Sequence, residues 1–367
     1  MGHSNSSPGL IRVRDLQVRA VNVPLLRPIR TASGTIDTAP LVLIDLHTDA
    51  GVVGRSYVFC YMPIALKPVA LMTANLESLI KDEVLAPVDI GRKLQQRFRL
   101  LGPQGFTGIA MAGVDMAAWD ALAKAQGLPL VSLLGGTPRS IPAYNSLGMG
   151  GADVATKEAE ESVELGYSAA KIKIGYADVK QDLEAIRAAR RAAGDGFQLM
   201  VDYNQSLSVP EAIRRIRILD DEGLAWIEEP TRADDFTGHA RIAQEARTPL
   251  QLGENWWGPH DMAKSLAAGA SDYAMPEAMK IGGVTGWLQA AALAEAAGTP
   301  VSSHTFPEVS RHLLAVTPNC HWLEFLDLAG SILQEPVKIE DGHAIIQSAP
   351  GTGIEWDEEA VKHYLVS

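Results

Sequence analysis

Seven short stretches of this sequence carry side chains that could do chemistry together. AAKIKIG (169–175) holds Lys171 and Lys173, MVDYN holds Asp202 and Asn204, and WIEEP holds Glu228 and Glu229. LGEN holds Glu254, AMPEAMK holds Glu277 and Lys280, SSH ends in His304, and HWLEFLD holds Glu324 and Asp327. Asp202, Glu228 and Glu254 follow one another at intervals of 26 residues. That interval is one strand plus one helix, so the three carboxylates come from neighbouring strands at one level. Three converging carboxylates cannot all stay ionised without a cation. A set of oxygen ligands alone favours a hard octahedral ion, Mg²⁺ or, as the alternative, Mn²⁺. A single strand-end acid is as often a solvated loop residue or a helix cap, but three at an equal period argue for a metal. Alternation along WIEEP does not by itself separate Glu228 from Glu229.

Lys171 and Lys173 raise a different question. Side chains two apart on a strand share a face, and burying two ammonium groups side by side is costly. The pair makes sense if Lys171 binds a substrate carboxylate and its charge lowers the pKa of Lys173, because a lysine must be neutral to act as a base. The bland reading has both lysines snorkelling to solvent. His304, five strands further on, lies across the ring from them. Two bases about an acid-held metal read as proton abstraction next to a carboxylate, with Glu324 as a hydrogen-bond donor if a low-dielectric pocket keeps it protonated.

The elements that must position these groups are legible as a repeat. Eight apolar runs, at 141–146, 169–175, 197–204, 224–230, 249–255, 272–277, 299–304 and 321–327, alternate with amphipathic segments such as VKQDLEAIRAARRAAG. Eight such units predict a (β/α)8 barrel, whose catalytic groups sit at the C-terminal ends of the strands. A doubly wound open sheet is the competitor, but NSLGMGG after the first run lacks the full GxGxxG pattern. Three domains are expected: an N-terminal α+β capping domain over 1–135, a modified TIM barrel over 136–330, and a C-terminal segment over 331–367 packing back on the cap. RPIRTASGTIDTAP (27–40), rich in Gly, Ser, Thr and Pro, is expected as a long mobile flap.

Bulk properties narrow the class. The chain has 367 residues, is 47% hydrophobic and carries a net charge of −12, which argues against nucleic acid or an anionic membrane surface as partner. Its two cysteines, Cys60 and Cys320, form no metal-ligand spacing and point to a reducing, cytoplasmic setting. The start lacks the apolar core of a signal peptide, and no apolar run is long enough to span a bilayer.

KIKIG, MVDYNQS, WIEEP, LGENW, AMPEAMKIGGVTGW, SSH and HWLE, in this order, closely resemble the mandelate racemase branch of the enolase superfamily. AVNVPL, TAPLVLIDL and GVDMAAWDAL extend the likeness into the first domain. The resemblance implies Mg²⁺ on Asp202, Glu228 and Glu254, which selects Glu228. It implies Lys173 and His304 as bases on opposite faces of the α-carbon of a 2-hydroxycarboxylate, and Glu324 as the electrophile. Lys171 and Ser146 would contact the carboxylate and Asn204 the α-hydroxyl. Ile29, Ile36, Phe59, Tyr61 and Leu326 would make the pocket apolar, favouring racemisation of an aromatic or apolar 2-hydroxy acid. A large symmetric homo-oligomer, with an octamer among the candidates, is implied as well.

Three features depart from the family pattern. Glu277 stands where the family pairs an Asp with the histidine, Thr305 replaces an apolar residue, and the loop after Ser146 differs. Glu277 is expected either to reach His304 from a different rotamer or to misalign the ring and slow exchange on that face. The rivals are an acid-sugar dehydratase, kept alive by Arg30 and Arg55, a cycloisomerase using Lys280 opposite Lys173, and a carboxylate-binding homologue that has lost catalysis.

Overall fold

The computed structural model describes residues 10–32 and 34–366. Residues 1–9 of the expected first domain, Ser33 of the expected flap and the terminal Ser367 lie outside the described residues. Strands β1 (Val13–Thr31), β2 (Gly34–Thr48) and β3 (Val53–Phe59) form an antiparallel sheet in that order. The stretch expected as a flap is instead the paired end of the β1–β2 hairpin. Ile29 faces Ile36, Arg30 faces Thr35 and Thr31 faces Gly34, beyond a register shift between Pro24 and Ile29. Thr35, Ile36 and Thr38 are β-branched and suit a strand, so pairing overrides the Gly and Pro content that reads as a linker.

Eight parallel strands follow: β4 (Ile141–Ser146), β5 (Ala169–Lys173), β6 (Gln198–Asp202), β7 (Ile227–Glu228), β8 (Leu250–Leu252), β9 (Tyr273–Ala274), β10 (Val301–Ser303) and β11 (Cys320–Phe325). They pair in sequence order, and β11 closes on β4 through Leu323 and Ala143. This is the expected enolase-type (β/α)8 barrel with its N-terminal capping sheet. Two short strands, β12 (Ile339–Glu340) and β13 (His343–Ala344), continue from β4 at Ile141. Inside the barrel, Tyr144, Ala169, Met200 and Trp226 make one buried cluster. Two residues further along each strand, the same inward face carries Lys171, Asp202 and Glu228. An apolar layer thus seals the barrel beneath the polar one.

Cap and barrel are joined by buried polar contacts. Asp115, on the cap helix Gly105–Ala125, accepts from the backbone N–H and the hydroxyl of Thr285 at 3.0 and 2.5 Å, at the start of the barrel helix Gly283–Ala297. Such a carboxylate satisfies donors that a helix N-terminus leaves free. Tyr57 of β3 donates to Glu308 at 2.6 Å and stacks on Phe306 with centroids 5.1 Å apart. The residues after β13 run back to the cap, where Trp356 donates to Asp45 at 2.8 Å and Val366 N–H donates to Ala20 at 2.8 Å.

Glu308 gives the protein a pH-dependent stability. Burial pushes its carboxyl up to about 7, and Asp327 adds to this against the Tyr57 hydrogen bond and Arg311. The folded state therefore binds a proton more tightly than the unfolded one. Stability from this group is present below the unfolded value of about 4.3 and is lost as pH rises to the folded value. Glu308→Gln keeps an acceptor for Tyr57 and removes the titration. The variant is expected to gain on the wild type by on the order of 2–3 kcal/mol between pH 5 and pH 8. Urea unfolding at both pH values reads this, and a difference independent of pH sinks it.

Candidate active site

The sheet register assembles the polar layer. Lys173 pairs with Asp202 across β5–β6, and Asp202 pairs with Glu228 across β6–β7, so three of the predicted groups stand abreast. Glu254 arrives differently, two residues beyond the end of β8. Gly253 makes this possible: its φ is +144°, and a Cβ there would sit 2.8 Å from the backbone of Met275. Asp202, Glu228 and Glu254 each offer a carboxylate oxygen within 4.8 Å of the others, and all three are buried. Glu229 turns away. Its backbone is left-handed at φ 36°, and both its oxygens accept from Asn255 at 2.9 Å. Glu228 shares the inward face with Trp226, whose indole N–H donates to it at 3.2 Å.

The charges of this layer do not balance by themselves. Asp202, Glu228, Glu229, Glu254, Glu277 and Glu324 are buried, against Lys171, Lys173, Lys280 and His304. The six acids outnumber the four cationic groups, so the carboxylates cannot all stay ionised without a cation. Burial and the neighbouring acids push Glu228 up to about 8 even with Lys171 beside it. An oxygen-only triad in this setting fits Mg²⁺.

Lys171 is fully buried and lies 2.5 Å from Glu228, 2.8 Å from Glu324 and 3.7 Å from Asp202. Lys173 donates to Asp202 at 2.7 Å. Burial and, as expected, Lys171 lower the Lys173 pKa, but the acids of the layer outweigh them: Asp202, helped by Glu254 and Glu324, holds it above its ordinary value. The expectation of a protonated Glu324 fails. Burial raises its pKa, yet Lys171, His304 and Lys173 hold the carboxyl well below the usual range. Glu324 accepts from Ser146 at 2.7 Å, from Lys171 at 2.8 Å and from the Thr305 backbone N–H at 3.1 Å. Thr305 is left-handed at φ 48°, which aims that N–H.

His304 follows β10. Its Nε2 lies 3.1 Å from Glu254 and 3.6 Å from Glu324, and its Nδ1 lies 2.5 Å from Glu277. The extra methylene of Glu277 therefore does not break the acid–histidine pair. Burial lowers the His304 pKa, but Glu254, Glu324 and Glu277 raise it to about 9. Asn204, just beyond β6, donates from its backbone and side chain to the two oxygens of Asp202 at 2.7 and 2.9 Å. Lys280 donates to Tyr61 and to Asn255, each at 2.8 Å, so the cycloisomerase reading leaves it bound in a network. Asn255 bridges Glu229, Glu254 and Lys280, a role that sequence reasoning misses. Its only signal is its place next to Glu254.

The hairpin reaches across to the barrel. Met149 N–H donates to the Arg30 carbonyl at 2.9 Å, and a Cβ on Gly175 would sit 3.1 Å from the Ala32 methyl. Ile29, Ser146, Leu147, Phe325 and Leu326 line a cavity of about 270 Å³ beneath it. Ile36 pairs with Ile29, and the rings of Phe59 and Tyr61 lie 4.6 Å apart. Arg30 is exposed, and Arg55 is bound to Asp45 at 3.2 Å and to Glu355.

Comparison with known proteins agrees with this architecture. Residues 13–135 match the mandelate racemase / muconate lactonizing enzyme N-terminal domain, and residues 154–360 match the enolase C-terminal domain-like family. An enolase from Bradyrhizobium, solved with magnesium and mandelic acid, is 45% identical, with a TM-score of 0.95 over 98% of this chain and 99% of its own. The 3,6-anhydro-alpha-L-galactonate cycloisomerase of Streptomyces coelicolor is 30% identical over 89% of this chain and 91% of its own. The L-talarate/galactarate dehydratase of Salmonella typhimurium is 34% identical over 71% of this chain and 66% of its own length. Among the described residues no helix is long and apolar enough to cross a membrane. The chain belongs to the enolase superfamily, with a mandelate racemase / muconate lactonizing enzyme N-terminal domain over an enolase-like barrel.

Proposed function

We propose that this protein is a Mg²⁺-dependent racemase of an aromatic or otherwise apolar 2-hydroxycarboxylate. The observation that carries the reading is the flanking of one acid triad by two bases, Lys173 beside Asp202 and His304 Nε2 beside Glu254. Lys173 takes or returns the α-proton on one face, and His304 does so on the other. Lys171 and Ser146, both bound to Glu324, would receive the carboxylate, and Asn204 would receive the α-hydroxyl. Mg²⁺ held by Asp202, Glu228 and Glu254 would supply charge stabilisation as the carboxylate gains electron density. The apolar hairpin side chains Ile29 and Ile36 favour an aromatic substituent, and the likeness to a relative holding mandelic acid supports the same choice.

A dehydratase reading has a specific support, the 34% identity to L-talarate/galactarate dehydratase. His304 would then donate a proton to a departing β-hydroxyl. Against it, Arg55 is engaged by Asp45 and Glu355 and is not free to bind a polyhydroxylated chain. The deciding experiment follows (R)- and (S)-mandelate with enzyme and Mg²⁺ in D₂O by proton NMR and polarimetry. Loss of the α-proton from both enantiomers with loss of rotation is expected. Inert mandelate, with a 2-keto acid formed from a sugar acid, makes the enzyme a dehydratase.

A further inference from the structure

Tyr61 is a cap residue two positions beyond β3, with its backbone in the left-handed region at φ 57°. A tyrosine held there is strained, and such strain persists where the surroundings over-determine it. The constraint is visible at the phenol. Its hydroxyl donates to Glu277 Oε2 at 2.6 Å, and Lys280 Nζ lies 2.8 Å from the same hydroxyl and 4.4 Å from the ring centre. Glu277 Oε2 is also the oxygen 2.5 Å from His304 Nδ1.

The direction of every proton in this chain follows from the groups. Lysine has donors only, so the Tyr61 oxygen accepts from Lys280 and must give its own proton to Glu277. Glu277 Oε2 then accepts from two sides, which places the second hydrogen on His304 Nδ1. Nε2 is left facing Glu254 and Glu324 as the atom that exchanges protons. Lys280 is itself fixed by donation to Asn255 Oδ1 at 2.8 Å.

Glu277 has one more rotatable bond than an aspartate, so a single contact to the imidazole would leave its carboxylate free to swing. We propose that Tyr61 is a positioning residue for His304, its hydroxyl clamping the Glu277 carboxylate on Nδ1 so that Nε2 faces the substrate. Because Tyr61 belongs to the cap, the clamp closes only when the cap is seated on the barrel. Seating of the cap is thereby coupled to the competence of one base and not the other: among the described residues, Lys173 makes no hydrogen bond or ion pair with Tyr61, Glu277 or Lys280.

This inference rests on the proposed reaction for its kinetic arm and stands alone in its spectroscopic arm. Wild-type, Tyr61→Phe and His304→Asn proteins are labelled with ¹⁵N-histidine and compared with Mg²⁺ bound. The resonance missing in His304→Asn is the His304 ring. In Tyr61→Phe its Nδ1–H signal is expected to shift and to exchange faster with solvent; an unchanged signal overturns the proposal. In the D₂O assay, Tyr61→Phe is expected to slow exchange of the enantiomer served by His304 by about 10-fold or more, as a small misplacement does. Exchange through Lys173 is expected to fall by much less, so the ratio of the two exchange rates changes. Equal loss on both faces overturns the proposal, whereas a wild type with no exchange at all defeats the racemase reading and leaves the spectrum to decide on Tyr61. Lys280→Met, which frees the phenol from the other side, should move the same signal in the same direction and guards against a folding defect in the first variant.

Discussion

Lys173→Ala is expected to stop α-proton exchange from one mandelate enantiomer while the other still exchanges. A positioned general base contributes about 10²- to 10⁴-fold, so exchange on the Lys173 face should fall by that factor. The asymmetry follows from the barrel. Lys173 ends β5 and stands beside Asp202, whereas His304 follows β10 and is held by Glu277 from the far side. No hydrogen bond or ion pair among the described residues joins the two bases directly, so removing one leaves the other in place. Racemisation needs both and should vanish, with exchange surviving on one face only. His304→Asn should give the mirror pattern. Lys173→Arg should not rescue activity, because a guanidinium keeps its proton and cannot serve as a base. Proton NMR in D₂O on each enantiomer separately reads all three variants. Equal loss from both enantiomers in Lys173→Ala sinks the two-base reading and leaves Lys173 a structural partner of Asp202.

Much of this site is legible in the amino-acid sequence, and the reasons are physical. The 26-residue spacing of Asp202, Glu228 and Glu254 reflects a strand-plus-helix repeat, which brings side chains to one rim whatever the helices contain. Resemblance aside, the choice of Glu228 over Glu229 is visible only in the fold. Trp226 lies in the barrel interior, and period two carries its face to Glu228. The hairpin is harder to read because Gly34, Pro28 and Pro40 have the character of linker residues, while its pairing depends on a neighbour strand. The net pKa directions of Lys173 and Glu324 run against expectation for a shared reason. The expectations set Lys171 against Lys173, and Glu324 against a dry pocket, without the counter-charges that share the layer. Asp202 lies 29 residues from Lys173, and Lys171 lies 153 from Glu324, so no local pattern announces either pair. The Tyr61–Glu277 contact spans 216 residues and two domains, and a sequence gives it no signal at all.

Glu324 should behave in the opposite way to the two bases. Its carboxylate is not on either face alone. One oxygen accepts from Ser146 and Lys171, and the other from Thr305 N–H, with His304 Nε2 3.6 Å away. Ser146 and Lys171 are the donors assigned to the substrate carboxylate, and Glu324 aligns both, so its effect is felt where negative charge grows whichever base removes the proton. Glutamine keeps the shape but has one accepting oxygen for donors on both sides, and its amide N–H₂ must point at one of them. Misaligning a donor at a developing oxyanion costs up to about 10²- to 10³-fold in kcat. Glu324→Gln is therefore expected to lower kcat by up to that factor from (R)- and (S)-mandelate alike, with little change in KM. Steady-state polarimetry in both directions, with exchange in D₂O, distinguishes this symmetric loss from the one-sided loss in Lys173→Ala. If the loss in Glu324→Gln is confined to the enantiomer served by His304, Glu324 works through the imidazole 3.6 Å away, and the carboxylate of the substrate must be stabilised by Lys171 and the metal triad instead.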